Sequence, residues 1–107
     1  MVQTYTNPDP RKKWVIKVAV QNPVSISLKF IPDKFMASHE DLQNCIMSIV
    51  NKGYDTPEDL VLSIMEAINN ELIPDWLEVI YEKDGLTIQA EDRQPGKENT
   101  EYPSTQI

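Results

Sequence analysis

Apolar and polar positions alternate in four stretches of the chain, and each stretch predicts a β-strand with one apolar face. Asn22-Pro23 separates the first two stretches, and Asp84-Gly85 separates the last two, so each pair is predicted to form an antiparallel hairpin. The apolar positions are Trp14, Ile16, Val18 and Val20; Val24, Ile26, Leu28 and Phe30; Trp76, Leu77, Val79 and Tyr81; and Leu86, Ile88 and Ala90. Both tryptophans are predicted to face the core.

Two stretches between the hairpins repeat their apolar residues at helical spacing. Ser38 and Thr56 are predicted N-caps, each followed by acidic residues that suit the start of a helix. Gly53 is predicted to end the first helix, and Pro57 to open the second. The buried positions are predicted to be Leu42, Cys45, Ile46, Ile49 and Val50, then Leu60, Val61, Ile64, Met65, Ile68 and Leu72.

These elements predict one α+β domain over residues 14–91, with a four-stranded antiparallel sheet and two helices on one face. The order is β-β-α-α-β-β. Residues 1–13 and 92–107 show no periodicity and are predicted to be mobile tails. A small open sheet exposes two edges, which favours assembly of several copies into a ring. A monomer with short, charged edges is the alternative.

The charge of the chain disfavours two classes of partner. The net charge is −7, and residues 14–91 hold thirteen acidic and five basic residues. Nucleic acids and anionic membranes attract basic surfaces, so we expect neither as a direct partner. The chain has a single cysteine, and it shows no apolar run of membrane-spanning length and no apolar leader at its start. These features favour the cytoplasm as its location.

Several motifs between residues 24 and 90 resemble the 7-cyano-7-deazaguanine reductase family, which has the tunnelling fold (T-fold). The end of the second strand reads Ile31-Pro32-Asp33-Lys34, as in that family. Further matches are Asn51-Lys52-Gly53 after the first helix, Glu58-Asp59 at the second helix start, Pro74-Asp75-Trp76-Leu77-Glu78-Val79 and the turn glycine Gly85. The resemblance implies rings of subunits with sites between them.

The resemblance implies two ligand-binding residues. Glu58 matches the glutamate that anchors the purine-like base, and a carboxylate can accept two N–H bonds from a guanine-like edge. Asn22 falls where the family has its proton-handling aspartate, but an amide does not exchange a proton at neutral pH. Without the resemblance, Glu58 is a first-turn acid favoured by the helix dipole, and Asn22 is a turn residue.

This chain lacks the residues that carry out the family's reductase chemistry. That family uses a cysteine thiolate to attack a nitrile and NADPH to reduce it, but residues 15–21 contain no cysteine, serine or threonine. Cys45 lies on the apolar stripe of the first helix and is predicted to be core. The stretch Ser38-His39-Glu40-Asp41-Leu42-Gln43 lacks the lysines that the family uses for NADPH. No cofactor is therefore expected, except NADPH if the protein is a reductase after all. No metal site is expected either, because His39 and Cys45 alone are too few ligands for zinc.

Three hypotheses follow. The first is a non-reductase relative that binds a purine-, deazaguanine- or pterin-like ligand or serves as an oligomeric partner. The second is an active, NADPH-dependent enzyme of queuosine or archaeosine biosynthesis. The third is an assembly module without a small-molecule site.

Overall fold

A computed structural model describes residues 2–94 and confirms the α+β class, with two helices and antiparallel strands. The four predicted strands form one sheet in the order β2-β3-β5-β6, and two short strands form a second sheet in the order β1-β4. The elements are β1 (Thr4–Thr6), β2 (Ile16–Val20), β3 (Ser25–Ile31), β4 (Phe35–Ala37), α1 (His39–Lys52), α2 (Pro57–Leu72), β5 (Trp76–Lys83) and β6 (Leu86–Arg93).

Both predicted hairpins are present in the four-stranded sheet. Val18 of β2 is the register partner of Leu28 of β3, and the β5–β6 pair closes with Lys83 opposite Leu86. Between those last two residues, Asp84 and Gly85 have φ angles of 52° and 85°. Positive φ at both central positions is what a two-residue hairpin turn requires, and this explains the Asp-Gly pair there.

Both helices begin at the predicted residues, and α1 ends at the predicted glycine. The Ser38 Oγ accepts a hydrogen bond from the backbone N–H of Asp41 at 3.1 Å, and the Thr56 Oγ1 accepts one from Asp59 at 3.2 Å. Each cap satisfies an N–H that the first turn of a helix leaves unpaired. Gly53, with φ of 89°, ends α1. Within residues 2–94, neither helix combines the length and the apolar character needed to cross a membrane.

The main core lies between the helices and one face of the four-stranded sheet. The apolar stripe of α2 packs over β5, while α1 lies over the edge strand β2. This core includes Val18, Val20, Ile26, Leu28, Phe30, Leu42, Ile46, Leu60, Ile64, Ile68, Leu72, Leu77, Val79 and Tyr81. Because side chains alternate along a strand, Trp76, Glu78 and Ile80 lie on the opposite face of β5. All three are buried as well.

The prediction of an N-terminal tail is wrong for residues 2–7. Strand β1 pairs with β4, and Val2 is only 4% exposed and joins the core. Asn7 is buried, where its Nδ2 donates to the Asp33 carbonyl at 2.7 Å and its backbone N–H donates to the Lys34 carbonyl at 2.8 Å. Strands of three residues are too short to produce a visible alternation, so this pairing could not be predicted from the apolar pattern.

The C-terminal boundary also lies further along the chain than predicted. Strand β6 continues to Arg93, which pairs with Trp76, and the backbone N–H of Gln94 donates to the Asp75 carbonyl at 3.2 Å. Of the predicted tail 92–107, residues 95–107 lie outside the described part of the chain.

The two tryptophans differ in burial: the core prediction is wrong for Trp14, and Trp76 is buried, but on the sheet face opposite the helices. Trp76 has no exposed surface, whereas Trp14 is 42% exposed and donates from its indole nitrogen to the Asp9 carbonyl at 3.2 Å. Strand β2 begins only at Ile16, which is paired with Phe30. Trp14 therefore lies beyond the last strand pair, where no neighbouring strand is present to bury it.

Candidate functional site

Strand register and helix packing bring two hairpin turns and the start of α2 to one end of the four-stranded sheet, which we call the turn end. Val20 is paired with Ile26, and Ser25 with Glu82, so the β2–β3 turn lies beside the β5–β6 turn. The helix α2 ends just before β5 begins and packs over it, so its first turn lies over the end of β5. The two predicted ligand-binding residues are thus carried to the same end of the sheet.

Glu58 is an exposed carboxylate in the first turn of α2. The Thr56 cap and Pro57 fix the start of that helix, so the backbone that carries Glu58 has a defined position. The backbone N–H groups at a helix N-terminus favour a negative charge there. A carboxylate in this position can accept two hydrogen bonds from an N–H edge of a planar ligand.

Asn22 is exposed in the β2–β3 turn, and the Asn22–Pro23 peptide bond is cis. Its side-chain amide offers one acceptor and two donor hydrogens to a polar ligand. The structure places Asn22 and Glu58 at the same end of the sheet on different elements.

A pair of tyrosines at the turn end was not anticipated from the sequence. Tyr81 is buried near the end of β5, and Tyr54, in the loop between the helices, is its neighbour. Burial raises the pKa of Tyr81, and the neighbouring Tyr54 and Asp84 raise it further. Tyr81 occupies an ordinary apolar strand position and Tyr54 a loop, so only the fold brings the two hydroxyl groups together.

Cys45, near the middle of α1, does not have the character of an activated nucleophile. It is half-buried against the core, rather than fully enclosed as predicted. Burial raises the pKa of the Cys45 thiol; the positive charges of the chain's N-terminus and Lys52 lower it, and the carboxylate of Glu71 raises it, with a net rise. The thiol therefore stays protonated at neutral pH.

Three cavities in the described part of the chain lie away from the turn end. The first, of about 630 Å³, is a groove between α2 and β6, and the second, of about 150 Å³, lies beside it near Arg93. The third, of about 380 Å³, lies near Phe35 and Ile73 at the far end of α2. Neither Glu58 nor Asn22 lines any of the three. Each of the two residues is exposed in a single copy.

Comparisons with known proteins assign no family to the chain. No protein-family model matches it, and no curated protein matches it. The resemblance to the 7-cyano-7-deazaguanine reductases therefore depends on the motifs of the sequence alone.

Proposed function

We propose that the protein binds a purine-, deazaguanine- or pterin-like ligand through Glu58, and that it is not a nitrile reductase. The observation that carries this proposal is the exposed carboxylate of Glu58 at the fixed start of α2. Its position in the sequence matches the base-anchoring glutamate of the family that the motifs resemble. Asn22, at the same end of the sheet, would add a donor or an acceptor to the ligand's edge.

The position of the thiol supports the second half of the proposal. Nitrile addition needs a thiolate within reach of the bound ligand, since the thiolate and not the thiol is the nucleophile. Cys45 has a raised pKa and is half-buried on α1, whereas Glu58 is exposed on α2. Neither a cofactor nor a redox step is part of the proposed function.

The proposal includes a homo-oligomer, because one copy leaves the site open on its outer side. Small-molecule sites are normally concave and bury most of their ligand. A neighbouring copy would supply the missing wall. The proposed location is the cytoplasm, where a free thiol such as Cys45 stays reduced. The acidic surface argues against direct contact with nucleic acid or an anionic membrane.

Isothermal titration of the protein with guanine, 7-cyano-7-deazaguanine and a pterin tests the ligand. We expect saturable binding of at least one of them and its loss in Glu58→Gln, which keeps the shape but cannot accept two charge-assisted hydrogen bonds. The matched control is Asp59→Asn, which removes the neighbouring exposed charge from the same turn. Absence of binding by all three compounds would refute the ligand-binding proposal.

A second measurement separates binding from reduction. The protein is mixed with the nitrile and NADPH, and thioimide absorbance and NADPH oxidation are followed. The proposal predicts neither signal, with or without Cys45→Ala. A thioimide that disappears in Cys45→Ala would establish the enzyme hypothesis in its place.

A further inference from the structure

The groove between α2 and β6 has an apolar floor that is open to solvent. Leu62 on α2 is 61% exposed, the highest value among the large apolar residues that the structure describes as exposed. Together with Met65 and Ala90 it forms the apolar part of the groove of about 630 Å³. Pockets of about 300 to 1,000 Å³ hold drug-sized ligands, so a groove of this volume accommodates one aromatic side chain.

The rim of the same groove is acidic. Glu66 on α2 and Asp92 on β6 line it, and its lining residues include no lysine or arginine. Asp92 accepts hydrogen bonds from the Asn69 side-chain amide at 3.0 Å and from the backbone N–H of Arg93 at 2.9 Å, and both donors are neutral. Within residues 2–94, Asp92 forms no ion pair. The groove therefore suits an apolar or aromatic group that is flanked by positive charges.

The opposite edge of the molecule carries such a combination. Trp14 exposes 42% of its surface just before β2, directly after the exposed run Arg11-Lys12-Lys13. Trp14 stands two residues before Ile16, which packs against the core on the helix side of the sheet. An exposed tryptophan beside basic residues is the kind of group that dominates binding at protein interfaces.

The strand directions bring these two surfaces together when a second copy extends the sheet. Strands β2 and β6 are the outer strands, and they run in opposite directions. A second copy placed in the same orientation therefore sets its β2 antiparallel to β6 of the first. The start of β2, with Trp14, then lies beside the end of β6, with Asp92.

We propose that Trp14 and the basic residues Lys12 and Lys13 of one copy dock into the α2–β6 groove of the next. This proposal rests on the homo-oligomer included in the proposed function and names its interface. The contact joins two different surfaces, so a pair of copies still offers one free groove and one free tryptophan. Repetition of such a contact closes into a ring if the rotation per copy allows it, and otherwise grows into a filament.

Light scattering over a range of protein concentrations tests the apolar part of the contact. We expect the wild type to form oligomers and Trp14→Ala to lose at least tenfold in association constant. The matched control is Tyr5→Ala, which removes an aromatic residue that is 52% exposed on β1, away from the groove. Circular dichroism shows that each variant remains folded. A wild type that stays monomeric at every concentration would overturn the proposal.

Charge reversal tests the polar part of the contact. The groove variant carries Glu66→Lys with Asp92→Lys, and the edge variant carries Lys12→Glu with Lys13→Glu. Each alone is expected to be mostly monomeric, and mixing them is expected to restore association, because the native groove of one then meets the native edge of the other. The control for the charge change is Glu40→Lys with Asp55→Lys, at exposed positions outside the groove.

The outcomes separate this interface from the ligand proposal. Oligomers that persist in both charge-reversed variants would contradict the interface, whatever the titrations with Glu58 show. The charge-reversed variants could dissociate as expected while the wild type binds no purine or pterin. That result would support the interface and refute only the ligand-binding proposal.

Discussion

The two tryptophans of this chain lie in regions that look alike in sequence and differ in structure. Each opens an apolar stretch that becomes a strand. Trp76 begins β5, an inner strand with β3 on one side and β6 on the other, and it has no exposed surface. Trp14 precedes β2, an outer strand, and exposes 42% of its surface.

The two tryptophans also differ in their neighbouring strands. Trp76 has register partners on both sides, Ile31 and Arg93, and its indole nitrogen donates to Glu91 Oε2 at 2.9 Å. Trp14 has no register partner among the described residues. Alternation of apolar residues thus predicts which face of a strand is apolar, but not whether a neighbour covers the side chain.

Replacement of the inner tryptophan is expected to have the largest effect. Trp76→Ala removes a fully buried aromatic side chain and leaves the Glu91 acceptor without its indole donor. Large-to-small changes of this kind cost about 3 to 5 kcal/mol of the free energy of unfolding. Urea denaturation measures the loss. A cost below about 1 kcal/mol would mean that the burial of Trp76 contributes little, and the contrast with Trp14 would fail.

Removal of each helix cap tests whether the helix over the inner strand and the helix over the outer strand contribute differently to stability. Thr56→Ala weakens α2, over the inner strand β5, and Ser38→Ala weakens α1, over the outer strand β2. Each change removes one side-chain acceptor, so each is expected to cost about 1 kcal/mol, as measured by chemical denaturation. A much larger loss of unfolding free energy in Thr56→Ala than in Ser38→Ala would show that the inner region responds cooperatively even to a local change.

The buried tyrosine of the inner strand predicts a loss of stability at high pH. Because the pKa of Tyr81 is raised in the folded protein, its contribution is complete below the pKa of a free tyrosine, about 10. That contribution disappears as the pH rises through the higher, folded-state pKa. Tyr81→Phe should show a smaller loss of unfolding free energy than the wild type between about pH 8 and pH 11. An unchanged pH dependence would argue against a buried Tyr81 hydroxyl.

Replacement of the outer tryptophan is expected to have the smallest effect on the fold. In dilute solution, Trp14→Ala should change the free energy of unfolding by less than about 0.5 kcal/mol, as for surface residues. Equilibrium denaturation at low protein concentration measures this value without a contribution from assembly. A cost of several kcal/mol would mean that Trp14 is part of the core after all.

The sequence was sufficient to predict the main sheet, the helices and their caps, because each depends on local periodicity and turn chemistry. Strand β1 and the burial of Asn7 could not be predicted, since they depend on a pairing with the short strand β4 across the fold. The tyrosine pair was missed for the same reason. Glu58 and Asn22 were found through motif resemblance, and only the register showed that they share one end of the sheet.

Acrylamide quenching of tryptophan fluorescence, recorded as the protein is concentrated, tests the distinction between the two tryptophans most directly. The account predicts one protected tryptophan, Trp76, at every concentration. It predicts a second, Trp14, that is readily quenched in dilute protein and becomes protected as copies associate. Quenching of Trp14 that does not depend on protein concentration would contradict the account.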